Sequence, residues 1–308
     1  MTFFSVIIPL YNKENFIENT LKSVLNQSFT DFEVIIVNDE STDASEQKAK
    51  QFIDSRIRYF LKENDGVSSA RNYGINLAKA EHITFIDADD YWFPTFLEEM
   101  FNNINRYPEL KVFSAAIEVE TSKKVFPSSY SIVKTGDCEI VNYFSASMKE
   151  SVIWTSCAVF HKSVFNESGI FDPNIKISED TDLWIRIGLN YQVLFSWKIL
   201  ARYVYDSKSI SRNFNYIMEE STFMKYCNQE KENKLLKKFL DNNRFSMAIK
   251  SKLNGDYPAF RKYYNAIHFE NISLKKRILL LLPSFILKEL IFLKIFLTNI
   301  GLGTSIFK

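Results

Sequence analysis

Three carboxylates fall within four residues at Asp87-Ala88-Asp89-Asp90, directly after an apolar run at 83–86. Side by side they repel: at ~4 Å and an effective dielectric near 20, one such pair costs roughly 4 kcal/mol. A hard divalent cation relieves that repulsion, and Mg2+ or Mn2+ is held by one or two carboxylates together with substrate phosphates. The competing reading is an acidic surface turn whose carboxylates face water or cap the next helix. A second cluster, Ser178-Glu179-Asp180-Thr181-Asp182, stands where an irregular segment passes into a helical pattern through Leu183, Trp184 and Ile187. Acidic residues suit such a start because the helix dipole is positive there, so Asp180 is either a cap or a general base for a hydroxyl.

The elements that must position these groups alternate between two periods. Residues 3–9 form a near-continuous apolar run of the kind found in a strand buried on both faces, 32–37 read as a second apolar strand, and 57–61 and 83–86 as a third and a fourth. Helical spacing runs over 13–27, 43–53 and 68–79, and again from Pro94 through Phe96, Leu97 and Met100. Asp43 and Glu46 have the spacing of a capping box. This alternation predicts an α/β fold, a mostly parallel sheet wrapped by helices. In such sheets ligands bind beyond the carboxyl ends of the strands. Pro9-Leu10-Tyr11-Asn12, Asn38-Asp39-Glu40-Ser41 and the Asp87–Asp90 cluster all fall there, so polar and acidic residues converge on one edge. Residues 110–205 are mixed, with strand-like pieces at 112–119, 153–160 and 193–205. From 213 onward the pattern is helical and rich in Lys, Phe and Asn, which sets a boundary between 1–212 and a C-terminal helical region, 213–308.

Composition excludes several classes. With 38 basic and 37 acidic residues the net charge is +1, so no global field draws the chain to nucleic acid. Cys138, Cys157 and Cys227 lack CxxC spacing, and His82, His161 and His268 lack metal-ligand spacing. They read as thiols of a reducing compartment, without a disulfide framework or zinc site. The N-terminal apolar run is short and follows no basic segment, so it reads as a strand and not a signal peptide; a cytoplasmic location is expected. None of the 8 glycines precedes a lysine, and the one GxG, Gly301-Leu302-Gly303, lacks a third glycine, so neither a P-loop nor a dinucleotide fingerprint is present. Phosphate handling falls to a metal and to cations such as Arg71.

Taken in order, SVIIPLYN with LKSVLNQSF, EVIIVNDESTD, NDGVSSARNYGINLAKAEHITFIDADDYW, EDTDLW and the looser SISR resemble the family 2 glycosyltransferases over residues 3–212. The resemblance implies a GT-A, Rossmann-like fold and a metal-dependent, inverting transfer of sugar from a nucleotide-diphosphate sugar to a hydroxyl. It implies that Pro9 and Tyr11, in the first loop, pack around the base and ribose. Asp39 would bond the base and Arg71 would lie near the donor phosphates or sugar. Asp87 and Asp89 match the DxD motif, Asp87 toward the ribose or sugar and Asp89 toward Mn2+ or Mg2+, with Asp90 sharing either role. Asp180 matches the base. Ser156 and Cys157 would then be packing or acceptor-contact residues. Many relatives carry a histidine shortly before the SxSR-like segment; here Asp206 stands near that place, a potential metal ligand. No QxxRW motif is present, so one sugar is expected per acceptor.

The setting implied is bacterial surface glycan synthesis with a UDP-sugar donor and a glycan or lipid-linked glycan acceptor. Residues 273–308 are apolar but interrupted by Pro283, Lys288, Glu289 and Lys294, a poor membrane span. They fit a helical lid, a homodimer contact, or, behind Lys275-Lys276-Arg277, a peripheral contact with the inner face of the plasma membrane. Two other classes stay open. A sugar-nucleotidyltransferase would need a Gly-rich signature after the first strand, and a non-catalytic sugar-nucleotide-binding module would not need Asp180.

Overall fold

The computed structural model describes residues 2–121, 124–204 and 222–299. The chain divides into two compact units, Met1–Ser211 and Arg212–Lys308. In the first, β1 (Phe4–Leu10), α1 (Ile17–Leu25), β2 (Phe32–Asn38), α2 (Ser45–Lys50), β3 (Ile57–Leu61), α3 (Val67–Leu77) and β4 (His82–Phe85) alternate as the sequence pattern predicts. There follow β5 (Tyr91–Trp92), α4 (Phe96–Arg106), β6 (Val112–Glu120), β7 (Val125–Pro127), β8 (Cys138–Asn142), α5 (Tyr143–Ala146), β9 (Ala158–His161), α6 (Ser163–Ser168), α7 (Glu179–Asn190) and β10 (Gln192–Val204).

These strands form one sheet in the order β3-β2-β1-β4-β9-β6-β10-β5, with β7 beside β6 and β8 beside β10. From β3 to β4 every pairing is parallel, as it is between β6 and β10; β9 runs antiparallel between β4 and β6. The sheet is therefore mixed beyond β4, and flanking helices cover it. Every residue of β1 and β2 is buried, Ser5, Glu33 and Asn38 included, which is why both read as mainly apolar runs.

Two local expectations change. The capping box at Asp43 and Glu46 does not form. Asp43 instead accepts from the amides of Ser45 (2.9 Å) and Glu14 (3.1 Å), while Glu46 pairs with Lys50 one turn on. Asp43 thus ties the start of α2 to the loop after β1. In the strand-like piece 153–160, only Ala158 onward is strand. Thr155–Cys157 is a 3-10 turn closed by Cys157 N donating to Trp154 O (2.8 Å).

The second unit holds α8 (Gln229–Glu232), α9 (Lys234–Leu253), α10 (Tyr257–Ala266), α11 (Leu274–Leu281) and α12 (Ser284–Asn299). Asn233, Asp256 and Ser273 cap α9, α10 and α11 by accepting first-turn amide hydrogens. Arg244, fully buried on α9, pairs with Asp241 and Glu230 and donates to the Phe223 carbonyl. Pro283 separates α11 from α12. Among the described residues no helix is long and apolar enough to cross a membrane.

The close approach of α3 to β1 depends on Gly74, where an added Cβ would meet Ile7 Cγ2 at 2.4 Å. Gly74→Ala must push α3 off the sheet. It is expected to cost about 1–3 kcal/mol, measured as a lower midpoint in urea unfolding with an unchanged slope.

Candidate active site

The carboxyl ends of β1, β2 and β4 lie side by side. Leu10 pairs with Asn38 and Ile7 with Phe85, and the chain continues the ladder through Asp39 N to Leu10 O (2.8 Å) and Ile86 N to Ile7 O (3.1 Å). Pro9 corrects an expectation: it lies within β1, opposite Val37 and buried, not in the loop. β1 has by then passed its last partner on β4, so the missing N–H of proline leaves no ladder bond unmade. Tyr11 is the first loop residue and is exposed.

Asp39 is 3% exposed at the N-terminal end of α3. It accepts from the amides of Gly66 (2.9 Å) and Asp65 (3.2 Å) and from Lys62 Nζ (2.5 Å). Gly66, at φ +88°, adopts the left-handed backbone that aims its amide at that carboxylate.

The loop after β4 is held from beneath. Thr20 Oγ1 donates to the Ala88 and Asp90 carbonyls (3.0 and 2.8 Å), fixing the loop to α1. Ser156, 1% exposed in the 3-10 turn before β9, accepts from Asp87 N (3.0 Å) and donates to Asp90 Oδ2 (2.5 Å). Asp90 also accepts from Val204 N and is 2% exposed, and burial pushes its carboxyl well above the usual aspartate value. Asp90 was expected beside a metal. With both oxygens engaged inside the fold it is instead a support for the loop.

Asp87 and Asp89 face outward. Asp87 receives Arg71 Nη2 (2.7 Å), and Asp89 forms an ion pair with Lys13. Burial raises the Asp89 carboxyl; the Lys13 charge opposes that rise and the Asp87 charge adds to it. Among the described residues no three His, Cys, Asp or Glu side chains converge as a ready cation cage. The donor set nevertheless fits a cation that takes one or two protein carboxylates and completes its shell from phosphates. Asp89 already holds a positively charged group in a largely enclosed place. Asp206 and the Ser209–Arg212 stretch lie outside the described residues.

Arg71, on the second turn of α3 and 4% exposed, joins this loop to α7. Its Nη1 donates to Glu179 Oε1 (2.9 Å), and its guanidinium lies 5.1 Å from the centre of the Phe171 ring. Its neighbour Asn72 makes two bonds with the Phe171 backbone, Nδ2 to O (2.8 Å) and N to Oδ1 (3.0 Å). Burial disfavours the guanidinium charge, yet the Asp87, Glu179 and Asp180 carboxylates raise the arginine above its ordinary value.

Ser178 precedes α7 in a left-handed conformation, φ +66°, which sets Glu179 and Asp180 in the first turn. Asp180 caps nothing beyond its neighbour, accepting from Thr181 N (2.5 Å) and Oγ1 (3.1 Å). Burial raises its carboxyl above the model-peptide 3.8, with Arg71 opposing. The structural carboxylate of this helix is Asp182, fully buried against Arg186, which also donates to the Ser168 and Ile170 carbonyls. Among the described residues the non-glycine positions with positive φ are Asn12, Glu40 and Ser178, in the loops after β1 and β2 and at the start of α7. Backbone strain gathers at the proposed site. Cys157 is buried and burial pushes its thiol up, away from a thiolate nucleophile.

Sequence reasoning missed Lys13, Lys62, Thr20 and the link through Glu179. Lys13 follows directly on Tyr11 and Asn12, the loop after β1, and that adjacency was the available signal.

Comparison with known proteins identifies the family. Residues 5–169 match the family model described as glycosyl transferase family 2. An uncharacterized glycosyltransferase of Rickettsia typhi is 28% identical over 99% of this chain and 94% of its own length. The minor teichoic acid biosynthesis protein GgaB of Bacillus subtilis is 32% identical over 58% of this chain and 20% of its own. Three further rickettsial relatives are longer, and the chain spans 34–37% of each. S. aureus TarS residues 1–349, solved with UDP-GlcNAc, shares the fold at a TM-score of 0.69 and 20% identity, over 88% of this chain and 83% of that one. With more than half of its length inside the family model and its sheet matching that of a GT-A enzyme, the chain belongs to glycosyl transferase family 2 and is a glycosyltransferase.

Proposed function

We propose that this glycosyltransferase moves one sugar from a UDP-sugar to a hydroxyl of a glycan or lipid-linked glycan, with inversion and with a divalent metal, in bacterial surface glycan synthesis. The observation that carries the reading is the Arg71 bridge, which brings the Asp87–Asp89 loop and the first turn of α7 to one cation. UDP as the nucleotide is supported by the fold shared with TarS, solved with UDP-GlcNAc. The glycan setting is supported by similarity to a protein named for teichoic acid biosynthesis.

Asp39 and Tyr11 would receive base and ribose, and Asp87 with Arg71 the sugar and phosphate side. The acceptor oxygen bonds the anomeric carbon while the bond from that carbon to the diphosphate oxygen breaks on the opposite face. The hydroxyl proton passes to the Asp180 carboxylate and the bonding pair leaves with the diphosphate. A metal held by Asp89 with Asp87 would supply charge neutralisation for that diphosphate.

For the acceptor side we propose that α11 and α12 rest on an anionic membrane surface. Leu274, Ile278, Leu281, Phe285, Phe292 and Leu293 are all exposed on these two helices, beside the basic run Lys275-Lys276-Arg277. Each such side chain removed from water contributes ~1.5–3 kcal/mol, and basic residues add attraction to acidic headgroups. The enzyme would then work at the inner face of the plasma membrane, where a lipid-linked acceptor is presented.

Three outcomes test these readings. Asp180→Asn is expected to keep UDP affinity within about twofold while transfer falls ~10²–10⁴-fold. Because the base must be ionised, wild-type transfer is lost as pH falls through a value above 3.8, and full activity in the variant would reassign the base. Asp89→Ala is expected to remove the Mn2+-dependent part of UDP stabilisation, which in the wild type reaches about 2.7 kcal/mol at 100 times the dissociation constant. On vesicles rich in phosphatidylglycerol the full chain is expected to sediment with lipid, less so in high salt, and Phe285→Asp with Phe292→Asp to stay in solution. A lipid-indifferent wild type that light scattering finds dimeric would assign the face to a second copy.

A further inference from the structure

We propose that Lys13 is the resident counter-ion of the acidic loop, its ammonium standing on Asp89 in the donor-free enzyme where a divalent metal binds, and moving to the donor phosphates when the metal arrives. The inference rests on the reading of Asp89 as a metal ligand.

Its root is fixed. Asn12, in the left-handed region at φ +50°, accepts from Thr42 N (2.8 Å) and donates its own amide to Ser41 Oγ (3.1 Å). The Lys13 amide donates to the fully buried Ser45 hydroxyl (2.7 Å). What remains adjustable is the side chain, whose ammonium lies 5.7 Å from the centre of the Phe16 ring and forms an ion pair with Asp89.

The other carboxylates facing the site are matched differently. Arg71 is locked between Asp87 and Glu179 at 4% exposure, and Lys62 is drawn to Asp39 together with two backbone amides. The Lys13 side chain is 23% exposed and that of Asp89 15%, so this pair stands at the mouth of the site on a four-carbon stem. Asp89 lies two residues from Asp87 in the same loop, and the cation paired with it is Lys13. A lysine paired with Asp89 offsets its repulsion from Asp87. It also competes with the metal. With a metal held by Asp89 and a diphosphate bound beside it, the ammonium would stay within a side chain's length of new negative charge.

The two halves of this exchange have opposite signs. In the full chain titrated with Mn2+ and followed by electron paramagnetic resonance, Lys13→Met is expected to bind Mn2+ alone about fivefold more tightly than wild type, equivalent to about 1 kcal/mol of competing ion pairing. At saturating Mn2+ the same variant is expected to bind UDP several-fold more weakly, and Lys13→Arg to restore UDP binding. Unchanged Mn2+ affinity in Lys13→Met, with a wild type that binds Mn2+ in the presence of UDP, overturns the inference and leaves the metal reading standing. A wild type whose Mn2+ binding equals that of Asp89→Ala overturns both. Thermal melting of each variant separates these results from misfolding.

Discussion

The site depends on a buried arginine. Removing a guanidinium from water costs several kcal/mol, recovered only when good hydrogen bonds and opposite charge surround it. Arg71 meets that requirement with Asp87 on one side, Glu179 on the other and the face of Phe171 against it. Those contacts come from three places: the loop after β4 and, far along the sequence from it, the first turn of α7 and the segment leading into it. None of the three would hold its position by local structure alone. The loop after β4 is a short irregular turn, and α7 begins at a strained serine with no side-chain cap. The ion pairs on Arg71, with the Asn72–Phe171 bonds beside them, fix both. α3 can supply these groups because it lies close on β1, which the absence of a side chain at Gly74 permits. A packing constraint in the core is thereby transmitted to the spacing between the donor loop and the proposed base.

Around that bridge the carboxylates divide by environment. Asp90 is turned inward onto Ser156 and Val204 and shares the interior with the ladder between β10 and β6. Asp89, its immediate neighbour, faces Lys13. Successive residues in a tight turn project in different directions, so an acidic run need not act as a unit. One carboxyl holds the loop down while two present it. Strain at Asn12, Glu40 and Ser178 belongs to the same design: each residue is held off its preferred backbone conformation at the rim, and neighbouring hydrogen bonds maintain it.

The parallel half of the fold was legible because β1 and β2 are buried on both faces, which leaves a mainly apolar run in each. The rule that ligands sit beyond strand ends then located the edge. What could not be read were pairings between residues far apart in sequence, such as Ser156 with Asp87 and Glu179 with Arg71. Ser156 has no motif, and its role exists only because β9 inserts antiparallel beside β4 and carries the turn beneath the acidic loop. Glu179 looked like a first-turn acid and is one, but its partner is Arg71, 108 residues earlier. Pro9 was misplaced because proline signals a loop, and only the offset between β4 and β1 makes it tolerable inside a strand. The strand expected at 153–160 starts only at Ala158, because a backbone bond from Cys157 to Trp154 closes a turn there and the Ser156 hydroxyl is engaged by the Asp87–Asp90 loop.

Charge matching explains why so compact an acidic site can fold without its ligands. Asp39, Asp87 and Asp89 each meet a cation of the chain, Lys62, Arg71 and Lys13 respectively. If these were rigid matches, the site would be neutralised and would have little left to offer a metal and a diphosphate. The matches are graded instead. Arg71 is enclosed and doubly bound, so it belongs to the architecture; Lys13 stands at the rim on a flexible stem, so it belongs to the exchangeable part of the charge balance. A donor bringing both a dication and a diphosphate can then replace one ion pair with two and leave the remainder in place. The same gradation separates Asp89, whose cation would change in the proposed exchange, from Asp87, whose cation also holds α7. The carboxylate best suited to accept a metal is the one whose release does not loosen the fold.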